Sequence, residues 1–203
     1  MVPSQLMVTT RSHNLFWRIG SHCWVRCSTH DLPINRVVAF KGQIFGMDYC
    51  SRLYIVHLVP HFHIQKMAVD WGGMLHGRTL SSQTFLVVCG DMLLMVGCPR
   101  HFSSLLEAFQ AFRLDLSAEP AKWVKVEKLE KWAIFISNDD RSQVLCCTDP
   151  ERWGGRSNCI YCYDSKEWVT CELGKQGASV PIFKGRYAMQ PMWVVPSMIY
   201  SCR

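Results

Sequence analysis

The chain has 203 residues, enough for one domain or two small ones. Its 22 Lys and Arg against 16 Asp and Glu give a formal net charge of +6, too mild an excess for a dedicated nucleic-acid binder, whose basic residues cluster. With 49% hydrophobic and 19% charged residues, the composition belongs to a folding chain with material for a core, not to a disordered one.

The N-terminal stretch MVPSQLMVTTRSH has neither the basic start nor the apolar run of about 7–15 residues that a secretory signal requires. No Asp or Glu precedes Asp31, while Arg11, Arg18 and Arg26 do, which is also how a transit peptide reads. The strand-like clusters Phe16-Trp17 and Trp24-Val25 favour folded sequence instead. The expected compartment is therefore cytosol or nucleus, with organellar targeting the weaker alternative. Residues 1–20 are set apart as an N-terminal segment without a defined element. Ser21 to Arg26 reads as the last strand of a partial unit.

From there the chain is a series of short β-rich runs separated by Gly, Pro, Asn, Asp and Ser. Arg36–Phe40 meets a Lys41-Gly42 turn, then come Gln43–Asp48, Arg52–Leu58 and His63–Val69. The order then repeats. Thr84–Cys89 meets Gly90-Asp91, followed by Met92–Val96, a longer loop, Phe109–Leu116 and Lys122–Val126. Phe102–Phe112 has the three- and four-residue spacing of a short helix, but alternation of Phe112, Leu114 and Leu116 favours a strand at its end. The apolar stretch from Thr84 to Cys98 is interrupted by Gly90, Asp91 and Gly97, so no run of about 20 apolar residues spans a membrane.

A third unit comprises Trp132–Ile136, a turn at Asn138–Asp140, Gln143–Cys147, Asn158–Tyr163 and Glu167–Leu173. Trp123 and Trp168 open the last strand of the second and third units. Four short strands at a period of about 40–50 residues mark a β-propeller blade. One such sheet buries too little alone and is stable only when stacked between others. The expected fold is all-β: a partial or open propeller of kelch-like four-stranded blades, about three full and one partial, over residues 21–198. A β-sandwich is the competing architecture.

Several runs carry a family resemblance. Phe112-Arg-Leu-Asp-Leu, Lys122–Leu129 and Trp132–Ile136 resemble the central signature of the plant F-box proteins with domain of unknown function 295, the KIB-type β-propeller. Asn158–Tyr163, the terminal Met192–Ser197 and the upstream Val38–Asp48 with Arg52-Leu-Tyr-Ile are similar to further elements of that family. The resemblance implies a non-enzymatic propeller that serves as the substrate-binding half of a ubiquitin-ligase adaptor. It departs from the family before Arg36, where no amphipathic helical stretch provides an F-box. The expected partner is a protein that the sequence does not identify, without binding of Skp1, membrane or nucleic acid. A truncated copy without function is a further alternative.

Chemistry-bearing motifs are sparse. There is no GxxxxGK[ST] loop, and Trp71-Gly-Gly and Trp153-Gly-Gly read as turns. His57, His61 and His63 read as strand-end and loop residues, since a metal centre needs more ligands held in fixed geometry. Asp139-Asp140 and Asp149 with Glu151 read as turn acids. Lys122, Lys125, Lys128 and Lys131 read as a solvated strand edge. Eleven cysteines, an odd number without a secretory signal, are expected as reduced thiols. Cys159 and Cys162, three apart in a strand, point to opposite faces and so are poor co-ligands. Hence no catalytic, cofactor or metal residue is assigned. A zinc-stabilised or nucleic-acid-binding module is the alternative that the Cys and Lys clusters would support.

Overall fold

The computed structural model describes residues 5–9, 13–18, 22, 24–28, 34–58, 61–71, 84–97, 109–137, 144–164, 167–175 and 180–184. These residues build four β-sheets in chain order. The first has three strands, β1 (Gln5–Thr9), β2 (His13–Arg18) and β3 (Val25–Ser28), paired antiparallel in that order. Strands β1 and β2, which fall in the segment set apart in the sequence reading, thus extend β3 into a sheet, β2 pairing with β3 and β1 with β2. The second is a four-stranded meander of β4 (Ile34–Phe40), β5 (Gln43–Asp48), β6 (Leu53–His57) and β7 (His63–Lys66).

The third sheet contains β8 (Val69–Asp70), β9 (Thr84–Cys89), β10 (Met92–Gly97), β11 (Gln110–Asp115) and β12 (Ala121–Val126). Strands β9 to β12 form an antiparallel meander, and β8 adds to the outer side of β12 in parallel, opposite Ala121 and Lys122. The fourth contains β13 (Trp132–Ser137), β14 (Leu145–Thr148), β15 (Cys159–Asp164), β16 (Glu167–Glu172) and β17 (Val180–Lys184).

Turn chemistry explains why the meanders form. Lys41 and Gly42 both take positive φ, 47° and 77°, the pattern of a two-residue type I′ hairpin. Gly90 takes φ 61° at the corresponding β9–β10 turn. A Cβ on it would fall 2.8 Å from Trp132 Cζ2, so glycine also permits the fourth sheet to close against the third.

The second and third sheets are buried on both faces because each is stacked between two others. Phe16 of the first sheet packs with Ile44, Tyr54 and Val56 of the second. The opposite face of the second sheet, with Phe40, Phe45, Met47 and Leu53, meets Leu93, Met95, Phe112 and Trp123 of the third. The other face of the third, with Phe85, Val87, Leu94 and Val96, meets Ile134, Ile136, Ile160 and Cys162 of the fourth. Strands β4, β9 and β14 lie against one another across these seams. Successive sheets joined through both faces are the arrangement of propeller blades, so the all-β propeller reading stands. Among the described residues, no helix is long and apolar enough to cross a membrane.

Three local features differ from the sequence reading. The fourth sheet is not a simple meander: β14 returns along one edge of β13, and β15 then pairs with the other edge in parallel, giving the order β14-β13-β15-β16-β17. Strand β8 covers the start of β12, so Lys122 does not stand on an open edge. Finally, Cys89 and Cys146 form a disulfide with a Cα–Cα separation of 5.6 Å, one exception to the expectation of reduced thiols. Their alternation into one seam, from β9 and β14, supplies the proximity that sequence separation concealed.

Candidate recognition surface

At the seam between the second and third sheets, the end of β5 is organised by one carboxylate. Asp48 is 2% exposed. Its Oδ1 accepts the Cys50 and Arg52 backbone N–H groups at 2.9 and 2.8 Å, and its Oδ2 accepts Arg52 Nε–H and the Tyr54 hydroxyl, the latter at 3.1 Å. A buried carboxylate is tolerable only with such a set of donors. The Asp48 hydrogen bond holds the Arg52 guanidinium above its ordinary pKa. Burial, followed by the bond to Asp48, pushes the Tyr54 phenol up as well.

The turn fixed in this way takes Ser51 into positive φ, 59°, and brings its Oγ to 2.9 Å from Thr84 Oγ1 at the start of β9. It therefore ties the second sheet to the third. Beside it lies a depression of 680 Å³ lined by residues that include Arg52, Leu53, Lys66, Met67, Trp71 and Trp123. That volume falls within the range of about 300–1,000 Å³ usual for binding pockets. The Trp71 and Trp123 rings lie 6.1 Å apart at 43°. Trp123 is 2% exposed, the packed plate expected of it, yet its buried Nε1 has no hydrogen-bond partner among the described residues. The surface combines apolar and aromatic walls with two cationic side chains and one acid, Asp70.

The other residues singled out in sequence are dispersed. His57 and His63 are paired across β6 and β7, and His63 Nδ1 lies 3.1 Å from the His61 carbonyl. Glu151 accepts the Ser157 N–H at 2.8 Å, and its hydrogen bonds with Ser157 hold its carboxyl below the ordinary value. Asp149 takes φ 51° at the start of a short 3-10 turn, Pro150–Trp153, which ends at Gly154 with φ 86°; the Trp153-Gly-Gly turn is thus present. Lys125 pairs with Glu127 at 2.8 Å, while Lys131 lies over the Trp132 ring.

Cys159 and Cys162 belong to opposite faces of the fourth sheet, as their spacing requires. The Cys171 thiol is pushed up to about 11 by burial. The Trp168 side chain, Asp139-Asp140, residues 101–108 and the Met192–Ser197 motif lie outside the described residues.

Sequence reasoning missed Asp48 and Asn158. Asn158 takes φ 58° immediately before β15. Its Oδ1 accepts the Leu129 N–H at 2.7 Å, and its Nδ2 donates to the Leu173 carbonyl at 3.0 Å. Its backbone N–H donates to Trp132 and its carbonyl accepts from Leu173, both at 2.9 Å. One residue therefore joins three loops. The available signal was generic: Asp and Asn bond nearby backbone, and Asn tolerates positive φ.

No curated protein matches this chain. The family model described as the KIB1-4 beta-propeller matches residues 3–184. That match covers most of the chain and all four sheets, and the stacking of those sheets agrees with it. This chain belongs to the KIB1-4 β-propeller family.

Proposed function

We propose that the chain is a non-enzymatic protein-recognition module, similar in role to the substrate-binding half of the plant F-box ubiquitin-ligase adaptors. In this reading it binds a protein partner in the cytosol or nucleus and selects rather than transforms it. The observation that supports the reading best is the seam depression between the second and third sheets. Its walls are aromatic, aliphatic and cationic, and the nearest buried acid, Asp48, has both oxygens occupied by structural donors. A carboxylate saturated in that way shapes a surface and is poorly disposed to serve as a general base. Rigid strands beneath the turn suit recognition, because little order has to be gained on binding.

The test is binary reconstitution. Proteins captured by the tagged chain are purified individually and titrated against it by calorimetry. A saturable one-to-one complex with an unmodified partner is expected. If no captured protein rebinds at micromolar concentration, or if the partner is chemically altered, the recognition reading fails.

A further inference from the structure

The depression between the second and third sheets also specifies the chemistry of what enters it. One of its sides is the stretch in which the chain crosses from the second sheet to the third. The Met67 N–H still donates to the Leu53 carbonyl at 2.9 Å, extending the β6–β7 ladder, and Val69 already lies opposite Ala121 of β12. The crossover from Lys66 to Asp70 therefore follows the seam. Fully extended, it reaches about 14 Å, the length of a short extended segment of another chain.

Charge around the depression is unbalanced. Arg52 and Lys66 both line it, and both are exposed. Asp48 engages Arg52 through Nε, and a guanidinium carries five N–H donors, so the outer nitrogens stay available. Lys66 enters no ion pair among the described residues. The one acid in the lining, Asp70, stands opposite Lys122 in the β8–β12 register, where a neighbouring cation offsets it. Much of the remaining lining is apolar, with half-buried Met67 and Trp71 packed on the cluster that holds Trp123.

Resting on the recognition reading, we propose that the depression takes an extended acidic segment of the partner protein. An Asp or Glu carboxylate of that segment pairs with Arg52 and Lys66, and a large apolar side chain beside it seats against Met67 and Trp71. The arginine fork matches carboxylate geometry, and complementary charge of this kind sets partner choice and association rate. A single-stranded nucleic acid fits less well, since a groove that tracks its phosphates needs a run of cations, and two line this one.

The experiment selects a displayed library of random dodecapeptides on the full chain and titrates the enriched peptides by fluorescence anisotropy. Asp or Glu beside Leu, Phe or Trp should be enriched, with saturable one-to-one binding. Lys66→Glu should weaken that binding by about 10-fold or more, and Lys66→Met by less. Ala68→Glu brings an acid to the same lining without touching the Asp48 network, and should weaken binding as Lys66→Glu does. Residues 66 and 68 are exposed, and unchanged thermal melting confirms that the sheets survive. Neutral or basic enriched peptides, no enriched sequence, equal affinity in Lys66→Glu and Ala68→Glu, or tighter binding of an oligothymidylate strand would overturn the proposal. A reconstituted protein partner that binds wild type and both Glu variants equally would also overturn it while leaving recognition intact. If no protein partner rebinds the wild-type chain, the recognition reading falls and this proposal with it.

Discussion

At the scale of single residues, the structure depends on two short polar side chains that satisfy backbone groups which no strand can pair. Asn158 combines positive φ with two side-chain hydrogen bonds to Leu129 and Leu173. Asn158→Gly keeps the backbone geometry but loses both bonds, at about 0.5–1.5 kcal/mol each. Asn158→Ala loses them and adds a left-handed backbone penalty of about 1–2 kcal/mol. Urea midpoints should therefore rank wild type above Gly above Ala, and an Ala variant as stable as the Gly variant would mean that the backbone is not left-handed there. Cysteine reactivity supplies a second residue-level prediction. Burial raises the Cys171 pKa to about 11, so its neutral thiol contributes stability that is full below the ordinary thiol value and lost as pH rises through about 11. Alkylation at pH 8 should modify exposed Cys50 first and Cys171 far more slowly, and equal rates by mass spectrometry would contradict the burial. Neither Asn158 nor Asp48 was legible in the sequence, because a short polar residue before or after a strand looks the same whether it holds three loops or merely faces water. Trp123 was legible: a large ring that opens a repeated strand has few places other than a seam.

At the scale of elements, alternation and turn residues were sufficient to find β5 and β9 at their observed ends, since Lys41-Gly42 and Gly90-Asp91 punctuate runs that are otherwise apolar. What they could not reveal was pairing. Strands β13 and β14 do pair antiparallel, but β15 pairs with β13 in parallel because β14 takes the edge that lies beside β9. Local sequence carries no signal for which edge a returning strand takes. Two-residue β8 was invisible for a related reason: its pairing with β12 depends on where the second sheet releases the chain, not on its own composition. The disulfide follows from that same edge choice, because β14 carries Cys146 to Cys89. Its sequence separation of 57 residues corresponds to about 4 kcal/mol on the chain-entropy scale. Under oxidising conditions Cys146→Ser should lose about that amount in chemical denaturation, and Cys147→Ser should retain the bridge. Non-reducing peptide mapping should recover the Cys89–Cys146 pair in the wild-type chain; a fully alkylatable Cys89 in oxidised protein would contradict the seam.

At the scale of the molecule, the sheets gain their stability from one another. The second and third sheets are apolar on both faces, with Leu93, Leu94, Met95 and Val96 of β10 all fully buried although consecutive residues point in opposite directions. A strand of that kind is stable only between two neighbours, which is why the repeated unit was readable from sequence before any pairing was known. The proposed recognition function rests on the depression between the second and third sheets and does not include delivery to a ubiquitin ligase. The purified chain mixed with Skp1 is expected to give no complex by co-elution at micromolar concentration, because Skp1 accepts helical apolar faces and none is present among the described residues; one-to-one co-elution would contradict this. The central claim is that the apolar faces stack as cooperating blades, and amide-resolved native-state hydrogen exchange tests it most directly. Strands β5, β10 and β13, each covered on both faces, should exchange last and with one common free energy, while β7, with three of its four residues exposed, exchanges early. Exchange in β10 as fast as in β7, or three unrelated free energies for β5, β10 and β13, would contradict the stacked propeller.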